Sequence, residues 1–260
     1  AQEGPETRVQ RFHAARLADI VVGATVHTVK SYEQELSRLR AMMTRMGGIV
    51  ESQVAQAIAA VTAQDEDAAR AAPGQDPQVD ALERDVEGLA IRLLALRSPM
   101  ASDLREIVAA LKITGDLERI GDYASSIARR STRFDLADSR ISLSGLTAMG
   151  RLVQENLRRA IDAISQQDPE RALEVWQSDQ GVDEYYTAMF RALVTYMMED
   201  PRNIGPCTHL LFIAKNLERI GDHATNIAER VYYAVTGENL PAYRPRGGLA
   251  SDAAETSVTR

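Results

Sequence analysis

Residues 117–122 read Leu-Glu-Arg-Ile-Gly-Asp, and residues 217–222 repeat the same six residues. Beyond this hexapeptide the match continues at a shift of 100 positions (117 to 217), through Ala124/Ala224, Ile127/Ile227 and Ala128/Ala228. Upstream, Ile49, Val50, Val54, Ala57, Ile58, Val61 and Asp65 align without gaps with Leu152, Val153, Leu157, Ala160, Ile161, Ile164 and Asp168, at a shift of 103 (65 to 168). Self-similarity of this kind marks a duplication, with the three-residue change in shift absorbed by loops. The period is too long for a solenoid unit, so it implies two similar domains rather than an array.

Within each copy the apolar residues recur three and four apart, the period of an amphipathic helix, and strand-type alternation is absent. A first long helix carries Leu36, Leu39, Met43, Met46, Val50, Val54, Ile58 and Val61 and ends near Asp65, Glu66 and Asp67, before a Pro73-Gly74 turn and Pro77. A second carries Val79, Leu82, Val86, Leu89, Leu93 and Leu96 up to Ser98-Pro99. Ser98 as N-cap and Pro99 as first helical residue are expected to open a third, which runs through Ile113, Leu117, Ile120, Ala124 and Ile127 to about Arg133. Three long helices joined by short turns make antiparallel neighbours. The expected fold is therefore all-α, two tandem pseudo-symmetric three-helix bundles over 28–138 and 139–238, each with a short extra turn near 65–72 or 169–177. Residues 1–27 are expected to form a mobile extension with a short helix over Thr7–Val22, and 239–260 a flexible tail.

At 260 residues and 28.6 kDa the chain can bury a large core. Its 37 acidic and 30 basic residues give a net charge of −7, so no overall positive field exists to hold nucleic acid or anionic lipid; nucleic acid is excluded as a partner. The single cysteine, Cys207, can neither close an intrachain disulfide nor assemble a thiolate metal site, which fits a reducing compartment. Cytoplasm is the expected location. No stretch approaches the roughly 20 apolar residues of a membrane span, and Leu17–Ala24, the nearest, contains Asp19 and lacks a signal-peptide layout.

The repeated hexapeptide also carries the chemistry. Glu118 and Asp122, like Glu218 and Asp222, stand at i and i+4, about 40° apart around a helix and one turn apart along it. They flank the apolar stripe on a sector shared with Gly121 and Ser125, or Gly221 and Thr225, small residues expected to leave open space. Like charges at this spacing cost an isolated helix a few tenths of a kcal/mol, so a pair present in both copies calls for a cation. Two sources are open. One is a protein cation, from Arg119, Arg219, Lys112, Arg129 or a neighbouring helix; the other is a hard metal ion on oxygen ligands.

Asp80, Glu83 and Glu87 share one face of the second helix, and Asp183 matches Asp80 at the shift of 103. Asp80 and Asp183 are thus further candidate metal ligands, an exposed acidic face being the alternative. Asp116 lies about 160° from Glu118 around the helix, outside that site. None of His13, His27, His209 and His223 stands three residues after a glutamate, so the Glu-x-x-His di-iron arrangement is missing. Phosphate-cradling loops, G-x-G-x-x-G and G-x-S-x-G are missing too. His223 stands where the first copy has Tyr123 and reads as a local variation. Trp176, Tyr185, Tyr186, Met189 and Phe190 occupy helical spacing and are expected in the core, where Cys207 also packs.

The segments SPMASDLREIVAALKITGDLERIGDYASSIA (98–128) and FIAKNLERIGDHATNIAERVYYAVTGE (212–238), with the opening HTVKSYEQELSRLRAMMTRMGG (27–48), resemble the PhoU family, phosphate-signalling regulators of bacteria. The resemblance spans His27 to Glu238. It implies two pseudo-symmetric three-helix bundles without enzymatic activity, whose E/D-x-x-x-D motifs bind metal. By position these are Glu118 with Asp122 and Glu218 with Asp222, and the cations in question are iron, zinc, manganese or magnesium. It further implies a negative regulator of the phosphate regulon and modulator of phosphate uptake. Such a protein is an adaptor between the ATPase of the phosphate ABC transporter and the sensor histidine kinase, a homodimer, and peripheral to the membrane only through those partners. Asp103, Arg105, Arg119 and Arg219 are the candidate partner-binding residues. The second copy of the Asp103-Leu104-Arg105 segment is weaker, Thr208-His209-Leu210, which implies unequal partner faces. The rival reading is a metal-dependent hydrolase-type enzyme whose acids activate a metal-bound water, and it requires a concave pocket and a nearby base. A purely structural helical protein is the third reading.

Overall fold

The computed structural model describes the backbone of residues 5–136, 141–178 and 180–241, and side chains within these ranges from Ser31 onward. Its elements are α1 (Pro5–Thr62), α2 (Glu66–Gly74), α3 (Asp76–Arg97), α4 (Ala101–Ser131), α5 (Ser144–Gln166), α6 (Pro169–Ser178), α7 (Gln180–Glu199), a single 3-10 turn (Pro201–Asn203) and α8 (Ile204–Thr236). Among the described residues there is no strand. The bounds of α1 take in the stretch where a separate short helix was expected over Thr7–Val22. Residues 1–4 and most of the tail, 242–260, lie outside the described residues, as do the side chains of His13 and His27.

Helices α1, α3 and α4 form one three-helix bundle, and α5, α7 and α8 the other. The short extra turns are full helices, α2 on α1 and α4, and α6 on α5 and α8. Both start on the same device. The Asp65 carboxylate accepts from the backbone N–H of Asp67 and Ala68 at 2.9 and 3.0 Å, and Asp168 accepts from Glu170 and Arg171 at 3.0 and 3.1 Å. Each satisfies two donors that a helix start leaves without a partner. Pro77 sits in the first turn of α3, where its missing N–H costs nothing.

The α3–α4 corner differs from expectation. Ser98 is not the N-cap of α4 but the residue that ends α3, in the left-handed conformation at φ 47°. Met100 caps α4 with extended backbone, and the helix begins at Ala101. Pro99 therefore lies in the link and forces its break, since the residue before a proline avoids the right-handed helical region.

The apolar stripes meet inside both bundles, and one continuous buried cluster runs through the two halves, from Leu36 and Val50 through Ile120 to Leu157, Leu217 and Ile227. The halves join through α1 on α5 and α4 on α8, and the joint obeys the duplication. Gly47 on α1 lies against Ile161 on α5, where an added Cβ would come within 2.8 Å of the isoleucine. Gly150 on α5 lies against Ile58 on α1, with the corresponding approach at 3.1 Å. Gly47/Gly150 and Ile58/Ile161 are the same two repeat positions, each glycine receiving the isoleucine of the other copy. Small residues let helix backbones approach closely, and here they do so on both sides of a local pseudo-twofold.

Some expected core positions are outside. Trp176 and Met189 are buried, but Tyr185 and Phe190 are 39% and 48% exposed, and Leu96, at the end of α3, is 73% exposed. The cause is local: α7 buries only Val182, Met189 and Leu193, a stripe too narrow to cover all four of the large residues Tyr185, Tyr186, Met189 and Phe190. Cys207 is buried, as expected.

Candidate functional site

On α4 the side chains of Leu117, Ile120, Ala124 and Ile127 point into the core, which leaves Glu118 half-buried and Asp122 exposed at its edge; α8 repeats this with Glu218 and Asp222. The small residues beside them do not leave open space. A Cβ on Gly121 would lie 2.9 Å from the Gln53 side chain. Gln53 is fully buried and donates to Ala72 O at 3.0 Å and to the Asp76 carboxylate at 2.8 Å. Ser125 donates to the same carboxylate at 2.7 Å and Arg129 at 3.1 Å. Gly121 and Ser125 thus make room for an inward glutamine and aspartate. In the second copy Gly221 faces Val182, and the arginine–aspartate pair is replaced by Glu229 accepting from the Trp176 indole at 3.1 Å.

Each carboxylate pair is joined by one acid from the helix alongside. Burial, then the charges of Asp122 and Glu83, push the Glu118 carboxyl up, with Arg119 opposing them. Glu83 is itself pushed up by burial and then by Asp80 and Glu87. In the second copy burial and then Glu218 and Asp183 push Asp222 up, and burial and then Glu218 do the same to Asp183. On α3 it is Glu83 that acts on Glu118, as Asp183 on α7 acts on Asp222. Asp80 is exposed and acts on Glu83 from the solvent side.

The two clusters differ in their cation. Lys215, one turn before Glu218, forms an ion pair with its carboxylate, and its ammonium lies 5.2 Å from the centre of the Tyr186 ring. That hydrogen bond raises the lysine above its ordinary value. The first copy has Gly115 in this place, with no atom within 4 Å of where its Cβ would be. Of the arginines named from sequence, Arg129 is taken by Asp76, Arg219 lies over the Tyr123 ring at 5.5 Å, and Arg119 acts on Glu118 from an exposed position. Among the described residues no group of three or more His, Cys, Asp or Glu side chains converges closely enough to hold a metal ion. In donor type, however, the paired oxygens of Glu118 and Asp122 suit a hard cation.

Asp116 and His223 belong together. Asp116 is 6% exposed and accepts from His223 Nδ1 at 2.8 Å and from Arg230 Nε at 2.6 Å, so a residue of α4 is tied to α8 across the joint. Burial pushes its carboxyl up, but the two hydrogen bonds and the arginine charge outweigh this and hold it below the ordinary carboxylate value. His223 also packs on Tyr123, ring centres 5.7 Å apart, so it is a structural partner and not a passive variation. The residue at the repeat position of Asp116 is Asn216, which donates to Ser126 at 3.2 Å.

Of the candidate partner-binding residues, Arg119 and Arg219 are exposed. Arg105 donates to Ala234 O at 3.4 Å and covers Gly237, whose φ of 79° ends α8, a favourable place for a cation beside the last carbonyls of a helix. Asp103 lies beside Tyr32, whose hydroxyl is pushed up to about 12 by burial and then by that charge. His209, in the weaker second segment, stacks on Phe134 at 5.5 Å and pairs with Arg130 at 3.3 Å. An open groove of about 730 Å³ lies between α2 and the end of α4, lined by Asp65, Arg70, Arg129, Phe134 and Asp135 among others, and takes in none of the four motif carboxylates. Among the described residues no helix is long and apolar enough to cross a membrane.

A family model described as "PhoU domain" matches residues 43–131 and again 146–231, one match to each bundle. A Caulobacter vibrioides protein described as "Phosphate-specific transport system accessory protein PhoU homolog" is 53% identical over 223 residues, 85% of this chain and 97% of that one. A Zymomonas mobilis protein with the same description is 46% identical over 85% of this chain and 93% of its own. The crystal structure of PhoU from Pseudomonas aeruginosa superposes with a TM-score of 0.76 at 41% identity, covering 80% of this chain and all of that one. The phosphate transport system regulatory protein PhoU from Streptococcus pneumoniae superposes with a TM-score of 0.74 at 28% identity, over 81% and 99%.

Proposed function

The chain belongs to the PhoU family, and we propose that it is an accessory and regulatory protein of a phosphate-specific transport system. The observation that carries this reading is the match to both bundles together with 53% identity along nearly the whole of a relative so described. In finer terms it is a non-enzymatic adaptor that couples the transporter ATPase to the phosphate-sensing histidine kinase and holds the phosphate regulon down when phosphate is plentiful. A helical scaffold suits this work because it offers broad charged faces on rigid elements and needs no substrate pocket. The unequal segments around Asp103 and His209 support two different partner faces. Deleting the gene is expected to raise phosphate-regulated transcription and alter phosphate uptake in medium rich in phosphate, with restoration by the wild-type chain; unchanged transcription and uptake would overturn the proposal.

Glu118 and Asp122 would hold a hard metal ion, which supplies charge neutralisation between two bundles or two subunits and no catalytic step. The hydrolase reading finds no support in the groove described above, since it lies away from the acids. Elemental analysis of protein purified without a metal-binding tag, beside the variant Glu118→Ala, Asp122→Ala, Glu218→Ala, Asp222→Ala, is expected to show metal only in the wild type. Equal content in both would remove metal from the proposal.

A further inference from the structure

We infer that Lys215 is a resident cation that closes the second carboxylate cluster to metal, so that the duplicated motifs are chemically unequal. The inference deepens the reading of the Glu-x-x-x-Asp motifs given above and rests on it only for the first copy. The ion pair between Lys215 and Glu218 joins residues three apart on α8, so the ammonium reaches the carboxylate without leaving its own helix. Asp222 follows one turn later, and Asp183 on α7 is close enough for Lys215 to act on both charges. The Tyr186 ring lies 5.2 Å from the ammonium and holds it from a further side, as aromatic faces do with cations.

A metal ion approaching Glu218 would have to displace this ammonium or stand beside a like charge, either of which opposes binding. The first copy has no ammonium in this place, and the cation that acts on Glu118 there, Arg119, is exposed. Its Gly115 carries no side chain, and nothing lies within 4 Å of where a Cβ would be. The sequences of the two motifs are identical, yet residues 115 and 215 decide what each can accept. The lysine is, in effect, a metal substitute attached to the chain.

The test uses the full chain, stripped with a chelator, with Mn²⁺ as the probe and free Mn²⁺ followed by electron paramagnetic resonance. In a background with the first motif silenced by Glu118→Gln and Asp122→Asn, the protein retaining Lys215 is expected to bind no stoichiometric Mn²⁺. Adding Lys215→Met, which keeps an unbranched stem and removes the charge, is expected to create one site at least tenfold tighter, and further Glu218→Gln to abolish it. Lys215→Ala serves as a second uncharged variant, and circular dichroism confirms that each is folded. Stoichiometric Mn²⁺ bound with Lys215 in place and lost on Glu218→Gln would overturn the inference, as would no gain in either uncharged, folded variant. Failure of the first motif to bind is read separately, from a wild type whose Mn²⁺ binding is unaltered by Glu118→Gln and Asp122→Asn.

Discussion

Two adjacent glycines on α1 provide a sharp test of how the halves fit together. Gly47 and Gly48 stand in the same helix interior, where replacing glycine by alanine gains about 1 kcal/mol from backbone propensity alone. At Gly48 nothing lies within 4 Å of the new methyl group, so Gly48→Ala is expected to stabilise by about 0.5–1 kcal/mol. At Gly47 the methyl would meet three atoms of Ile161, at 2.8, 3.1 and 3.1 Å. That side chain is 6% exposed and branched at Cβ, so it cannot swing aside as the tip of a long chain could. Overpacking of this kind costs about 1–3 kcal/mol, and after the propensity gain Gly47→Ala is expected to destabilise by up to about 2 kcal/mol. At about 2–4 °C per kcal/mol for a chain of this size, the two neighbours should differ in thermal midpoint by several degrees, with opposite signs. Ile161→Ala, which removes all three contacting atoms, supplies the second arm of a double-mutant cycle: alone it costs about 2–5 kcal/mol, and combined with Gly47→Ala it should cost less than the sum by about 1 kcal/mol. Denaturant unfolding of the four proteins measures the coupling. Equal stabilisation by both alanines, or a cycle that closes with no coupling, would refute the packing of α1 on α5 derived above.

Asp116→Asn is expected to destabilise by about 2–4 kcal/mol, because it weakens both bonds across the α4–α8 joint and leaves Arg230 without its counter-charge in a partly buried place. The folded carboxyl lies below its ordinary value, so its contribution is complete above the unfolded value and is lost as pH falls through the folded one. The gap in stability between wild type and Asp116→Asn should therefore be constant near neutrality and shrink only in acid; a gap that widened below pH 4 would contradict the assignment. Asp65→Ala and Asp168→Ala each remove a cap of the same geometry and should each cost about 1 kcal/mol. Their effects should add, since they open different helices in different halves, and calorimetry of the single and double variants checks both points.

Helix content, the duplication and the position of the acid motifs were legible along the chain, because the three-and-four spacing of Leu117, Ile120, Ala124 and Ile127 states which face is apolar whatever it packs against. The capping role of Asp65 and Asp168 was within reach for the same reason: a cap bonds residues two and three positions away, so its signal is local. What a face meets is not local. The glycine and isoleucine exchange between α1 and α5 stood in the letters as matching pairs, Gly47/Gly150 and Ile58/Ile161, but periodicity cannot say that each glycine receives the other copy's isoleucine. Angular position on α4 separated Asp116 from Glu118, and gave no sign that Asp116 would be bound by two residues of α8 more than a hundred positions later. The open space expected at Gly121 and Ser125 was filled by Gln53 and Asp76 from two other helices. The difference between Gly115 and Lys215 was printed in the sequence, while its consequence depends on the lysine and three carboxylates sharing one surface. Sequence determines the helices because their hydrogen bonds and side-chain period are set within a few residues; the tertiary structure decides the charges and close contacts because these act through space between residues that the chain keeps far apart.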